Sequence, residues 1–190
     1  MPIFDFSEFK MQLALSKYFS KGKATPEYIN LCLSECDPRY KNEVRQCNWF
    51  FPREEKPDFS FFKKIYGYEM PNILKAYYSI CHVNVAGFHK NSPYKEGIGL
   101  GSTLTDDSEK LFFFCDPKGF TDIIDTSKYI TIGAGGTYSS YFVVMERDTG
   151  RIFIEYYDDD DVADEHIKYI FLADSLTKFI MELDPPNFRN

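Results

Sequence analysis

An acidic run near the C-terminus holds the residues with the clearest capacity for chemistry. Between Glu155 and His166 the sequence has no lysine or arginine, and its acids there are Glu155, Asp158, Asp159, Asp160, Asp161, Asp164 and Glu165. Clustered carboxylates can hold a divalent cation or attract a cationic protein surface. A calcium loop requires glycine at its sixth position, and the sixth residue from Asp158 is Ala163. The run therefore predicts either a solvated loop or a surface for a cationic partner, and no metal site.

Tyrosines on both sides of the run favour the partner-binding interpretation. Tyr156 and Tyr157 precede the aspartates, and Tyr169 follows them. Aromatic rings beside localised charge are typical of protein interfaces. We expect a partner-binding surface made of the acidic run with Tyr156 and Tyr157, joined by Tyr138 and Tyr141 near the Gly-Gly turn.

Cysteines and histidines give little support for catalysis or metal binding. The five cysteines are odd in number and have no Cys-x-x-Cys spacing, which favours reduced thiols over a disulfide framework. Cys32 and Cys36 share a predicted helix face, but no second pair completes a zinc site. Cys81 and His82 are adjacent, and neighbouring side chains on a helix diverge by about 100°, so they do not form a nucleophile and its base. We predict no catalytic residue, no metal and no cofactor, and we interpret His89 as a surface or hydrogen-bonded polar residue.

Neither the glycines nor the aromatic content indicates nucleotide or nucleic-acid binding. The segment Gly97 to Ser102 has serine where the dinucleotide fingerprint has its third glycine, and Gly133 to Gly136 lacks the Lys-Ser or Lys-Thr of a phosphate loop. We interpret both segments as turns, with Gly135-Gly136 at a turn or bulge. Aromatic residues are 18% of the chain, but stacking modules have a basic groove. The rings therefore predict a Phe-rich and Tyr-rich core.

Length and charge predict one domain with a single charged feature. A chain of 190 residues with 44% apolar residues can build one sizeable core. Seven of the 29 acids lie in the acidic run, which leaves 22 acids against 22 bases elsewhere, so the formal net charge of −7 arises in one place. We expect no secretory signal and no membrane-spanning segment, hence a cytoplasmic protein. We expect neither a membrane nor a nucleic acid as its direct partner.

Capping residues and apolar spacing predict helices in the N-terminal half, over residues 5–22, 25–37, 58–67 and 71–81. The apolar face of the first is expected to contain Leu13, Leu15, Tyr18 and Phe19. The third is expected to bury Phe59, Phe62 and Ile65. The fourth is expected to bury Leu74, Tyr77, Tyr78 and Cys81.

The period changes to that of strands after Ile98. Residues 110–115 predict a short strand, and residues 130–132, 141–145 and 151–157 predict an antiparallel meander with turns at the Gly-Gly and Thr-Gly pairs. Asp174-Ser175 then opens a last helix. This order predicts an α+β fold, in which an antiparallel meander sheet is packed on one face by N-terminal helices and a C-terminal helix. We expect a single domain over residues 1–190, with a helical N-terminal extension at 1–57 and a core at 58–184.

The order of these motifs is similar to that of the SUKH superfamily, also called Smi/Knr-like. The similarity covers roughly Asp58 to Leu183 and leaves most of the first sixty residues outside. Its motifs are Tyr66-Gly67-Tyr68-Glu69-Met70-Pro71, Leu74-Lys75-Ala76-Tyr77-Tyr78, Ile130-Thr131-Ile132-Gly133, Tyr141-Phe142, Gly150-Arg151-Ile152-Phe153, Tyr156-Tyr157 and Ala173-Asp174-Ser175-Leu176-Thr177-Lys178-Phe179.

The resemblance implies a non-enzymatic immunity protein of a bacterial toxin system. Such a protein binds a cognate toxin domain, here expected to be basic, and blocks it by stoichiometric occlusion. The toxins are frequently nucleases or nucleic-acid deaminases. The alternative implied by the same superfamily is a regulatory or scaffold protein without a toxin partner. We expect a monomer or a weak dimer.

Overall fold

The computed structural model describes residues 6–19, 21, 51–52, 57–82, 85–94, 97–101, 125–135, 141–156 and 168–185. The helices in these ranges are α1 (Ser7–Phe19), α2 (Ser60–Tyr66), α3 (Asn72–Ile80) and α4 (Leu176–Glu182). The strands are β1 (Phe51–Pro52), β2 (Cys81–His82), β3 (Ala86–Gly87), β4 (Ile98–Leu100), β5 (Tyr129–Gly135), β6 (Tyr141–Glu146), β7 (Ile152–Tyr156) and β8 (Lys168–Ala173). This arrangement confirms the predicted α+β class.

Strands β3 to β8 form one sheet in which spatial order follows chain order. Every neighbouring pair in it is antiparallel. The predicted meander is therefore confirmed as β5, β6 and β7, and its β6–β7 turn ends at Gly150, whose φ of 72° suits glycine. Strands β1 and β2 form a separate two-stranded pair.

The main core lies between one face of the sheet and the helices. It joins α1, α2, α3 and α4 to the alternate sheet residues Ile130, Ile132, Val143, Met145, Ile152, Ile154 and Leu172. Helix α1 packs against both α3 and α4. One face of the sheet is thus covered, as expected, by helices that precede the main strands in the chain and by one helix that follows them.

A backbone cap and a side-chain cap define two helix ends where the sequence predicts them. Gly67 ends α2 with a φ of 76°, and its N–H donates to the Lys63 carbonyl oxygen at 2.9 Å. Ser175 caps α4, since its Oγ accepts from the Lys178 N–H at 3.2 Å. Both devices satisfy backbone groups that a helix terminus leaves open.

Three expectations about local structure are wrong. Leu13 is exposed instead of inward, because Met11, Ala14, Leu15 and Tyr18 form the buried side of α1. Cys81 belongs to β2, because α3 ends at Ile80. The segment 98–100 is strand β4 and not a turn, since it pairs with both β3 and β5.

One further difference concerns the sheet, because strand β8 was not predicted from the sequence. Strand β5 ends at Gly135, and Gly136, the other residue of the expected turn or bulge, lies outside the described residues. A register shift that was not predicted lies earlier in β5, between Thr131 and Gly133. The helix expected at 25–37 and the strand expected at 110–115 lie outside the described residues.

Candidate partner-binding surfaces

Tyr141 is a core residue, and its expected role as an exposed contact is wrong. Its exposed fraction is 0%. Its ring stacks on Tyr94 with centroids 3.9 Å apart, and its hydroxyl donates to the Gly97 carbonyl oxygen at 3.3 Å. A Cβ on Gly135 would collide with this ring, so glycine at the end of β5 makes room for it. The tyrosine therefore stabilises the fold where β4, β5 and β6 meet.

Glu155 is also interior, so it does not belong to a solvated acidic surface. Its exposed fraction is 0%. Strand alternation directs Ile154 to the helix-covered face and Glu155 to the opposite face, where Tyr169 of β8 lies directly across from it. The expectation that Glu155 forms part of the partner surface is wrong for this reason.

The face of the sheet away from the helices holds a second, smaller core. Tyr129, Ala134, Phe142 and Val144 are buried there, with Phe153 and Tyr169 packed against them. The rings of Tyr129 on β5 and Tyr169 on β8 stack at 4.4 Å although two strands separate them. Contact over that span shows that the sheet curls around this face.

An aromatic margin borders this second core on β8. Phe171 is 42% exposed, and its ring meets Phe153 edge-on at 5.8 Å. Tyr169 is half-buried on the same strand. We call Tyr169 and Phe171 of β8, together with Phe153 of the neighbouring β7, the β8 aromatic margin. It offers rigid, partly exposed rings at the end of the strand order.

The acidic run is attached to the sheet at this margin. Tyr156 of β7 pairs with Lys168 of β8, so the chain leaves and re-enters the sheet at one point. The side chain of Tyr156 and the remaining expected contacts lie outside the described residues: Tyr138, Tyr157, Asp158, Asp159, Asp160, Asp161, Asp164 and Glu165. With Glu155 interior, six acids remain in the run.

His89 is a buried, hydrogen-bonded residue, in agreement with its expected polar structural role. Its Nδ1 accepts from the Asn91 N–H at 3.2 Å, which leaves the proton on Nε2, 3.3 Å from Glu182 Oε2. Burial lowers the pKa of His89 and outweighs the opposing effect of Glu182. The ring is therefore neutral and stacks on Phe179 at 5.3 Å.

The segment that contains His89 also fixes β8. A register shift between β7 and β8 leaves Leu172 as an extra residue in β8, and the Asn91 side chain donates to its carbonyl oxygen at 3.2 Å. Phe88 and Asp184 exchange backbone hydrogen bonds at 2.8 and 2.9 Å. The Asn91 bond positions β8, and the Phe88 pair holds the chain that follows α4.

A second exposed surface lies on α1 and was not predicted from the sequence. Phe6, Phe9 and Leu13 are 61%, 65% and 58% exposed, at spacings of three and four that place them on one side of the helix. We call these three residues the α1 stripe. Beside the first turn of α1, a pocket of about 340 Å³ lies between the helix, Pro57, Phe59 and α3. The sequence does contain a signal for this surface, because apolar residues follow helical spacing on both sides of α1.

The described ranges contain neither of two features that define other classes of site. No three His, Cys, Asp or Glu side chains in them come together in a way that could hold a metal ion. None of their helices has both the length and the apolar character needed to cross a membrane.

Comparisons with known proteins add no identification. No family model, no curated protein and no solved structure matches the chain. The resemblance to the SUKH superfamily stays a prediction that rests on the order of the sequence motifs.

Proposed function

We propose that this chain is a toxin-neutralising immunity protein of the SUKH type. In this proposal it binds a cognate bacterial toxin domain and blocks it by occlusion, without a reaction of its own. The observation that carries the proposal is the shared position of charge and rings: the run with six acids joins the sheet between Tyr156 and Lys168, on the strand that also carries Phe171. A nuclease or nucleic-acid deaminase offers the complementary surface, because it must attract a phosphate backbone.

The two parts of this surface make different contributions to binding. Acidic charges at the rim of an interface accelerate encounter with a cationic partner, and added salt screens them. Aromatic rings that become buried mainly slow dissociation. The acidic run therefore governs the association rate, and the β8 aromatic margin governs the lifetime of the complex.

The proposal predicts a toxin gene beside this one, and the test uses the toxin domain that this gene encodes, purified in an inactive form. We expect a stoichiometric complex with a Kd of about 1 nM or below. Changing Asp158, Asp159, Asp160 and Asp161 together to Asn is expected to slow association roughly tenfold at low ionic strength and to flatten its salt dependence. Phe171→Ser is expected to raise the dissociation rate and to leave the association rate nearly unchanged.

Asp148 supplies the matched control for charge. It is an exposed acid in the β6–β7 turn, at the end of the sheet away from Lys168. Asp148→Asn is expected to leave the association rate unchanged. If Asp148→Asn slowed association as much per charge removed as the fourfold Asn variant does, a contact localised at the acidic run would be refuted. Absence of any complex with the neighbouring toxin domain would refute the proposed function and leave the regulatory alternative.

A further inference from the structure

His89 connects helix α4 to strand β8. Its side chain is fully buried, and its ring stacks on Phe179 of α4. Nδ1 accepts from the Asn91 N–H at 3.2 Å, and the Asn91 side chain donates to the Leu172 carbonyl oxygen of β8 at 3.2 Å. A short series of hydrogen bonds therefore leads from the imidazole to the strand that carries Phe171.

This series ends at an irregular point of β8. Leu172 is the extra residue at the register shift between β7 and β8, so regular strand pairing is interrupted there. Phe171 directly precedes it and belongs to the β8 aromatic margin. Because a bulge changes the direction of the side chains beside it, the bond from Asn91 helps to set where the Phe171 ring points.

Backbone contacts hold His89 in place. Phe88 and Asp184 exchange backbone hydrogen bonds at 2.8 and 2.9 Å, and the His89 carbonyl oxygen accepts from the Ser92 N–H at 2.9 Å. The second ring nitrogen, Nε2, lies 3.3 Å from Glu182 Oε2. With the backbone and Nε2 held in this way, a change at Nδ1 acts first on the N–H that is bonded to it.

Charged groups of both signs surround His89. In the described ranges, Glu182 and Asp184 favour the protonated imidazole, and Lys90 opposes it. Lys90 Nζ lies 3.7 Å from Glu182 Oε1, and Lys21 Nζ lies 3.6 Å from Asp184 Oδ1. Burial has the largest effect and lowers the pKa of His89, so the ring is neutral near pH 7 and gains its proton only in acidic solution.

Protonation removes the acceptor at Nδ1. A neutral imidazole has one donor and one acceptor nitrogen, whereas the protonated ring carries an N–H at both. The Asn91 N–H would then face a second donor, so their hydrogen bond is lost. The bond from Nε2 to Glu182 becomes a charge-assisted one, which keeps the ring beside α4. The part that moves is therefore the Asn91 backbone.

We propose that His89 is a pH-sensitive switch for β8. Protonation at Nδ1 displaces Asn91, the Asn91 side chain leaves the Leu172 carbonyl oxygen, and the Phe171 ring changes its position. The consequence for partner binding rests on the proposed function, because Phe171 belongs to the surface proposed for the toxin domain. Acid then shortens the lifetime of the complex.

Nuclear magnetic resonance of the free chain tests the switch without a partner. As the pH is lowered, the amide signals of Phe171 and Leu172 are expected to shift with the same midpoint as the His89 imidazole. Asn91→Ala keeps the backbone N–H and removes the bond to β8, so the imidazole should still titrate while both amide shifts are lost. His89→Gln should also abolish these shifts. The amide of Val144, in β6, is the reference and is expected to stay in place.

Three results would overturn the switch. The first is that the β8 amides do not follow the His89 midpoint. The second is that they follow it equally in Asn91→Ala. The third is that the whole chain unfolds, as measured by circular dichroism, before the imidazole takes up its proton, because His89 would then affect stability alone.

Dissociation of the toxin complex tests the consequence for binding. Below the His89 midpoint the unchanged chain is expected to dissociate about fivefold faster than at neutral pH, the effect of roughly one lost hydrogen bond. Asn91→Ala is expected to dissociate at that faster rate at both pH values. Comparing the two chains cancels the titration of the toxin's own groups. An equal pH effect in both chains would overturn regulation by His89. Absence of any complex would refute the proposed function, whereas the free chain still tests the switch.

Discussion

Gly133 is a position in the sheet where one added methyl group is expected to destabilise the fold. A Cβ there would lie closer than 3.0 Å to the Gly99 carbonyl oxygen and 3.2 Å from its carbonyl carbon, both in backbone that cannot rotate away. Its φ is not positive, so lack of space and not backbone conformation requires glycine. In Gly133→Ala, β4 must move away from β5 by several tenths of an ångström, against the pairing that runs from Ile98 to Leu100.

The expected loss follows from that displacement. Weakening about two backbone hydrogen bonds costs roughly 1 kcal/mol each, and overpacking adds roughly 1–3 kcal/mol. Gly133→Ala should therefore lower the free energy of unfolding by about 3–5 kcal/mol, measured by urea denaturation followed by circular dichroism. Gly99→Ala is the control in the paired strand, because its Cβ would lie 3.9 Å from the Ala134 carbonyl oxygen, an ordinary contact. Similar losses in the two variants would refute the close approach of β4 to β5.

Two further predictions concern α4 and its contacts. Ser175→Ala should lower the free energy of unfolding, measured by urea denaturation, by about 1 kcal/mol, because the cap on the Lys178 N–H is lost. Ser175→Asp should retain most of the stability, since its carboxylate can accept the same bond. Equal losses in the two variants would argue against capping. Burial holds the pKa of His89 below its ordinary value of 6.5, so the unfolded chain takes up the proton at a higher pH than the folded chain does. The free energy of unfolding should therefore fall as the pH is lowered through 6.5 toward the folded-state pKa. His89→Gln should remove that part of the pH dependence while the other two histidines remain, and an unchanged slope would contradict the buried neutral ring.

Local chemistry allowed the meander and two helix boundaries to be predicted from the sequence. Gly150 and Gly67 both adopt positive φ, a conformation for which glycine is the usual residue, so each marks an element end without knowledge of the rest of the fold. Ser175 marks the start of α4 in the same way, since its side chain bonds a backbone group three residues away. In all three cases the deciding interaction involves the residue itself or a residue only a few positions away in the sequence.

Burial of the candidate contacts could not be predicted, because it depends on distant partners. Tyr141 is covered by Tyr94, and Glu155 lies across from Tyr169 of β8. Strand β8 is not among the predicted elements, although its apolar and aromatic sequence is typical of a strand. Without β8 the prediction gives Glu155 no neighbouring strand, and it assigns Glu155 to the acidic run.

Helix α1 presents a different difficulty, since it has apolar residues on two sides. Phe6, Phe9 and Leu13 follow helical spacing, and so do Met11 and Leu15. Periodicity identifies such a helix but does not decide which side is buried. The decision comes from the elements that α1 packs against, α3 and α4, which contact the Met11 side.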